Sequence, residues 1–156
     1  MHFHACDIAD FTSGDDINMV YSLHACDSAT DKALYLGLRL NVPCILSVAC
    51  CQHQARRQLR GHPYTGITRH RVFKDRVVYM VGDALRALLL EMQGYNVDIL
   101  EFTSSRHTDK NTMIRARKGH NGDLAALRIE YVRMRDAFRI VPSLEQYLGG
   151  VGPNAG

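Results

Sequence analysis

Two compact apolar runs, residues 17–23 (INMVYSL) and 44–51 (CILSVACC), flank a segment of helical periodicity, and this arrangement restricts the fold more than any other feature. A short, nearly continuous apolar run suits a strand buried within a sheet. Between them, residues 28–40 repeat apolar side chains at Ala33, Leu34, Leu36, Leu38 and Leu40, as a helix does. Ser28 or Thr30 is placed to cap its start, and Asn41-Val42-Pro43 ends it. Two strands joined by a helix point to a parallel pair with a crossover connection.

The rest of the chain continues this alternation. Residues 2–8 read as a short leading strand. Residues 76–95 form the clearest helix, with Val77, Val81, Ala84, Leu85, Leu88 and Met92 at three- and four-residue steps and Gly94 at the C′ position. Residues 96–103 and 112–118 read as strands, joined by the polar loop SSRHTDKN. That loop is too short for a crossover helix, so the two strands pair as an antiparallel hairpin. Residues 121–139 carry Leu124, Leu127, Tyr131, Met134 and Phe138 at helical spacing, and Ser143 starts one more short helix. The expected class is α/β: an open, mostly parallel sheet with an antiparallel C-terminal hairpin and helices on both faces. One domain over residues 1–148 is expected, with a disordered tail over 149–156.

Composition sets the context. A chain of 156 residues, 46% hydrophobic and 22% charged, is long enough to bury a core. No apolar run reaches membrane-spanning length, and the first residues lack the pattern of a secretory signal, so a cytoplasmic protein without membrane contact is expected. The five cysteines are odd in number and include the adjacent pair Cys50-Cys51, which argues for reduced thiols and against a disulfide framework. The net charge is only +3, but Arg56, Arg57, Arg60, Arg69, Arg71, Lys74 and Arg76 crowd residues 52–76 against one acid, Asp75. This connector reads either as a phosphate-facing patch or as a solvated surface.

Ligands of open parallel sheets bind beyond the carboxyl ends of the strands. Four segments deliver polar side chains there: Cys6 and Asp7; His24, Cys26 and Asp27; Cys50, Cys51 and His53; His107, Asp109, Lys110 and Asn111. Each has a plain structural alternative: a satisfied histidine, a buried cysteine or a helix-start aspartate. Alternation along a strand also predicts that one of Cys50 and Cys51 faces the core. His24-x-Cys26 with Cys50-Cys51-x-His53 offers a zinc-compatible set of thiols and imidazoles, but the spacing lacks a C-x-x-C, and no metal ligand is assigned.

Three blocks, VYSLHACDSATDKAL, ILSVACCQHQ and GDALRALLLEMQGYNVDILEFTSSRHTDKNTMIRA, together resemble a family of S-adenosylmethionine-dependent methyltransferases of the Rossmann-like class. That family carries L-H-A-C-D-x-A-T-D, then P-C-C-Q-H, then E-F-x-x-x-x-H-T-x-K-N with I-R-A; Ala49 here replaces the usual proline. The resemblance spans roughly residues 3–148. It implies a truncated Rossmann-like sheet that begins near the third of seven strands, without the glycine-rich turn that holds the methionine part of the cofactor. It implies S-adenosyl-L-methionine as cofactor, held by Asp7, Ile8, Leu23, His24 and Cys26. His24, Cys50, Cys51 and His53 are the implied catalytic group, with Gln52, His107, Lys110 and Asn111 toward the substrate. The Cys-Cys-x-His run is also similar to one in RNA 2′-O-methylating relatives, which makes RNA a candidate acceptor met through residues 52–76. The missing strands would leave residues 17–23 as an apolar sheet edge: residues 2–8 shift beside it or stay poorly anchored, a second copy pairs with it in a homodimer, or the chain aggregates. The chain by itself is then expected to lack turnover. Two further readings stay open: a non-catalytic RNA-binding module and a zinc-binding structural protein.

Overall fold

The computed structural model describes residues 2–102, 111–119 and 122–151. The strands are β1 (Met19–Ala25), β2 (Cys44–Ala49), β3 (Tyr95–Glu101) and β4 (Thr112–Lys118). The helices are α1 (Ser28–Arg39), α2 (His53–Gln58), α3 (Thr65–Thr68), α4 (Arg71–Met92), α5 (Leu124–Phe138) and α6 (Ser143–Tyr147), with a 3-10 turn at Ile8–Asp10. The strands form one four-stranded mixed sheet in the order β1-β2-β4-β3. β1 and β2 run parallel, as the crossover through α1 requires. β4 is antiparallel to both its neighbours, and its pairing with β3 is the expected hairpin. The sheet is therefore less parallel than expected, because β4 lies between β2 and β3 and reverses direction against each.

Register fixes the faces. Ile45 pairs with Ala116 and Ser47 with Ile114, so these side chains share one face. α1 lies on that face: a Cβ at Gly37 would sit 2.6 Å from the Ile45 side chain, so glycine is what lets helix and strand approach. α4 packs there too, with Val78, Val81, Leu85, Leu88 and Leu89 in one buried cluster with Ile45, Ile114, Ala116 and Tyr95. The expected helices on both faces are thus corrected: the two helices that pack broadly on the sheet, α1 and α4, share one face. On the other face of β1, Met19, Tyr21 and Leu23 are exposed. β1 is an edge strand, paired among the described residues with β2 alone.

Two further expectations are overturned. Residues 2–7 form no strand; they are exposed, and the segment is fastened to α1 instead of to β1. Asp7 caps the 3-10 turn through the Ala9 amide and pairs with Lys32, while Arg39 donates to the Phe11 carbonyl. These polar ties hold the segment against α1 in place of an edge ladder. The helix expected from residue 76 starts earlier, inside the basic connector. The connector holds α2, α3 and the first turns of α4, which begins at Arg71, directly after the extended N-cap His70. Arg56 of α2 pairs with Asp75 of α4 and so consumes part of the patch's charge.

α4 ends as its sequence predicts, with Gly94 at φ +86°. α5 is capped by Asp123, whose carboxylate accepts from the Ala125 and Ala126 amides. Residues 149–151 fold back on α6, where the Gly150 amide donates to the Glu145 carbonyl and the Val151 amide to its carboxylate. Residues 152–156 of the expected tail lie outside the described residues. Among the described residues no helix is long and apolar enough to cross a membrane.

Candidate functional site at the strand ends

β1 ends in a distortion. Leu23 pairs with Val48 and Ala25 with Ala49, so His24 is a bulged residue without a register partner. Its φ is +56°, and three residues on Asp27 has φ +50° with ψ −121°. Both values are costly for side chains other than glycine, and such strain gathers at functional sites. The surroundings hold it. The Asp27 amide donates to the Cys51 carbonyl at 3.1 Å. The Asp27 carboxylate makes no cap bond to α1; it accepts from the Gln54 amide at 2.9 Å and so secures the first turn of α2. Thr30 donates its hydroxyl to the Ala25 carbonyl. The expected Ser28 or Thr30 cap is therefore replaced by ties that lock the two strand-end turns together.

Those turns bring three thiols into one place. The Sγ atoms of Cys26, Cys50 and Cys51 all lie within 4.8 Å of one another. Cys26 and Cys50 approach to 2.9 Å, and the Cys50 thiol donates to the His24 carbonyl at 3.3 Å. Neither Cys50 nor Cys51 is in the core, contrary to the alternation argument, because β2 ends at Ala49 and the pleat ends with it. Hydrogen bonding with the Cys50 thiol, then with Cys51, pushes Cys26 up to about 12. Cys26 is thus a neutral thiol at physiological pH, not a ready nucleophile.

The other expected site residues fall around this lip. His24 and His53 are exposed, and His53 is the first residue of α2. Leu23 is exposed at the end of β1. Ile8 stands in the 3-10 turn, and Asp7 precedes it; hydrogen bonding from Lys32, then from the Ala9 amide, holds Asp7 below the usual carboxylate range. Gln52 turns inward: it is 3% exposed and donates to Asp83 of α4 at 2.8 Å. Gly82 makes room for it, since a Cβ there would meet Gln52 Oε1 at 1.9 Å. Asn111 is buried at the start of β4, where its carbonyl accepts from the Phe102 amide. His107, Asp109 and Lys110 lie outside the described residues.

Sequence reasoning missed a groove beside the lip. Asp75, Arg76, Tyr79 and Met80 of α4 face Glu101, Asn111 and Thr112 across a space of about 410 Å³. Tyr79 ties it to the thiols by donating its hydroxyl to the Cys50 carbonyl at 3.3 Å. Val72, Asp75, Arg76, Tyr79 and Met80 recur at helical steps, and this second stripe on α4, opposite the core stripe, was the available signal. Also missed was the buried network beneath the lip. Arg86 donates to Asp31 at 2.7 Å and to Asp83 at 3.3 Å, and Asp31 also accepts from the Ser143 amide. Burial pushes Asp83 up, and Arg86 and Gln52 only partly offset it. Burial opposes the Arg86 charge most strongly, but Asp31 and Asp83 together outweigh it and hold the guanidinium up.

Both turns of this lip fall within a match to known proteins. Residues 1–58 match the family model of a methyltransferase domain. The matched span includes the His24–Asp27 turn and the Cys50–His53 turn, and it stops before α3, the groove side of α4 and the hairpin. The match supports a methyltransferase-like function. The chain matches no curated protein and no solved structure.

Proposed function

We propose that the chain is the C-terminal portion of a Rossmann-like, S-adenosylmethionine-dependent methyltransferase domain, with its methyl-transfer site on the lip formed by the ends of β1 and β2. The observation that carries this reading is that the two turns inside the methyltransferase-domain match are drawn together, with Cys26 and Cys50 at 2.9 Å. The sheet order supports it, since β1, β2, β4 and β3 correspond in order to the fourth, fifth, seventh and sixth strands of the usual seven.

The residues present fit part of the cofactor. Asp7 offers a carboxylate to the adenine or ribose, and Ile8 and Leu23 offer exposed apolar surface to the rings. The His24 carbonyl, aimed at the lip, suits the cationic sulfonium side. Among the described residues no glycine-rich turn meets the methionine carboxylate. When bound, S-adenosylmethionine supplies an electrophilic methyl for in-line displacement. The chain's own task is alignment of the acceptor and removal of its proton. Of the two exposed imidazoles at these turns, His24 or His53 takes that proton and the other orients the nucleophile. Asn111 and Tyr79 shape the acceptor side, and Gln52, bonded to Asp83, positions the turn that carries His53.

RNA is the acceptor class this surface favours. Arg76 lines the groove beside Asp75 and Glu101, and Arg69, Arg71 and Phe73 add exposed cationic and aromatic side chains around the start of α4. Ultraviolet cross-linking of radiolabelled S-adenosylmethionine, followed by peptide mapping, tests the reading. Label at residues 7–8 and 23–26 is expected; label spread evenly over the chain, or none, would sink it.

A further inference from the structure

The three thiols of the lip have a use that methyl transfer does not require. The geometry points to a zinc site formed by Cys26, Cys50 and Cys51, with its fourth position open to water or to an incoming ligand. The inference is independent of the methyl-transfer reading, since it is read by metal content and not by cofactor binding.

Zinc takes thiolate sulfurs at about 2.3 Å, which sets sulfurs about 3.8 Å apart around a tetrahedral ion. The three Sγ atoms already lie within 4.8 Å of one another, with Cys26 and Cys50 at 2.9 Å, so side-chain rotations of about 1 Å bring the set to that spacing. The backbone is held for this. The His24 bulge and the positive φ of Asp27 flank Cys26, and the Asp27–Cys51 and Asp27–Gln54 bonds fix its turn against the Cys50-Cys51 turn. Three ligands drawn from two strand ends, with an open face, match the pattern of sites that keep an exchangeable position. Soft thiolates favour zinc over the hard cations that oxygen ligands select. A disulfide would use only two of the thiols and would leave the third, Cys51, unexplained. Binding exchanges thiol protons for the ion, so the protons leave to solvent and no redox partner is needed.

The test uses the full chain, reduced and stripped of metal. Zinc alone is added, and retained metal is measured after dialysis; cobalt(II) then replaces it. The expected result is one zinc per chain, with a sulfur-to-cobalt charge-transfer band. Cys26→Ser, Cys50→Ser and Cys51→Ser should each weaken binding by more than about tenfold, a cost that even an outer-shell partner reaches. Cys6→Ser and Cys44→Ser should leave it unchanged. Zinc should also slow alkylation of Cys26, Cys50 and Cys51 in the unaltered chain, as read by peptide mass, which keeps the test independent of how the variants fold. No retained zinc, binding that survives all three serine variants, or alkylation unaffected by zinc would each overturn the proposal.

Discussion

Replacing Arg86 by methionine should destabilise the protein, and the loss should depend on pH. Arg86 and Asp31 have side chains 5% and 1% exposed, and Asp83 is 8% exposed. Removing the only cation of this network leaves two buried carboxylates facing each other's field. Breaking a buried ion pair in this way costs about 3–5 kcal/mol. Each carboxylate keeps one donor, the Ser143 amide on Asp31 and the Gln52 amide on Asp83, which argues for the lower end, about 3 kcal/mol. Asp83 already lies above the ordinary carboxylate range through burial, and loss of Arg86 raises it further. A carboxyl raised on folding stabilises the native state below its unfolded pKa and loses that contribution as pH rises through its folded value. The variant should therefore be closer to the unaltered protein at about pH 5 than at about pH 8. Urea denaturation followed by circular dichroism measures both. With slopes of about 1–3 kcal/mol/M, the midpoint at the higher pH should fall by about 1–3 M. A loss under about 1 kcal/mol, equal at the two pH values, would refute the view that Arg86 neutralises this network.

Three more outcomes follow from the packing. Leu89→Ala, at a fully buried position on α4, should cost about 2–5 kcal/mol in the same assay; a cost within about 0.5 kcal/mol would place Leu89 outside the core. Gly82→Ala gains about 1 kcal/mol of helix propensity but must displace the Gln52 amide from Asp83, so a net loss of about 1–2 kcal/mol is expected, and a stabilised variant would contradict the close contact. The Asp7 carboxyl, followed by NMR, should titrate below the usual aspartate range and return toward it in Lys32→Ala; an unchanged titration would show that the ion pair does not form in solution.

The elements that were legible in the sequence are those whose apolar spacing is set by burial alone. β1, β2, α1 and the β3–β4 hairpin follow directly from runs such as CILSV and from a connecting loop too short for a helix. Where polar contacts decide, the pattern was silent. Residues 2–7 resemble a strand until the bond from Lys32 to Asp7 is seen to hold them against α1. The start of α4 was hidden because Val72 and Phe73 are exposed and break the stripe of its core face. That the helices share one sheet face depends on register, which the order of strands and helices does not reveal. At the site, convergence of the β1 and β2 ends was legible, since strand ends in such sheets collect ligands. The grouping of Cys26 with Cys50 and Cys51 was legible too, but their close approach without the two histidines was not, because it depends on β2 ending at Ala49 and on the bulge at His24. Gln52 reads as a residue facing the substrate, yet it is spent on the buried Arg86–Asp83 network.

Calorimetric titration of S-adenosylmethionine into the reduced 156-residue chain tests the central claim most directly. Saturable micromolar binding, lost in Leu23→Lys while the fold by circular dichroism persists, is the predicted result. Heats no greater than dilution at millimolar cofactor would contradict a cofactor-binding lip on this chain.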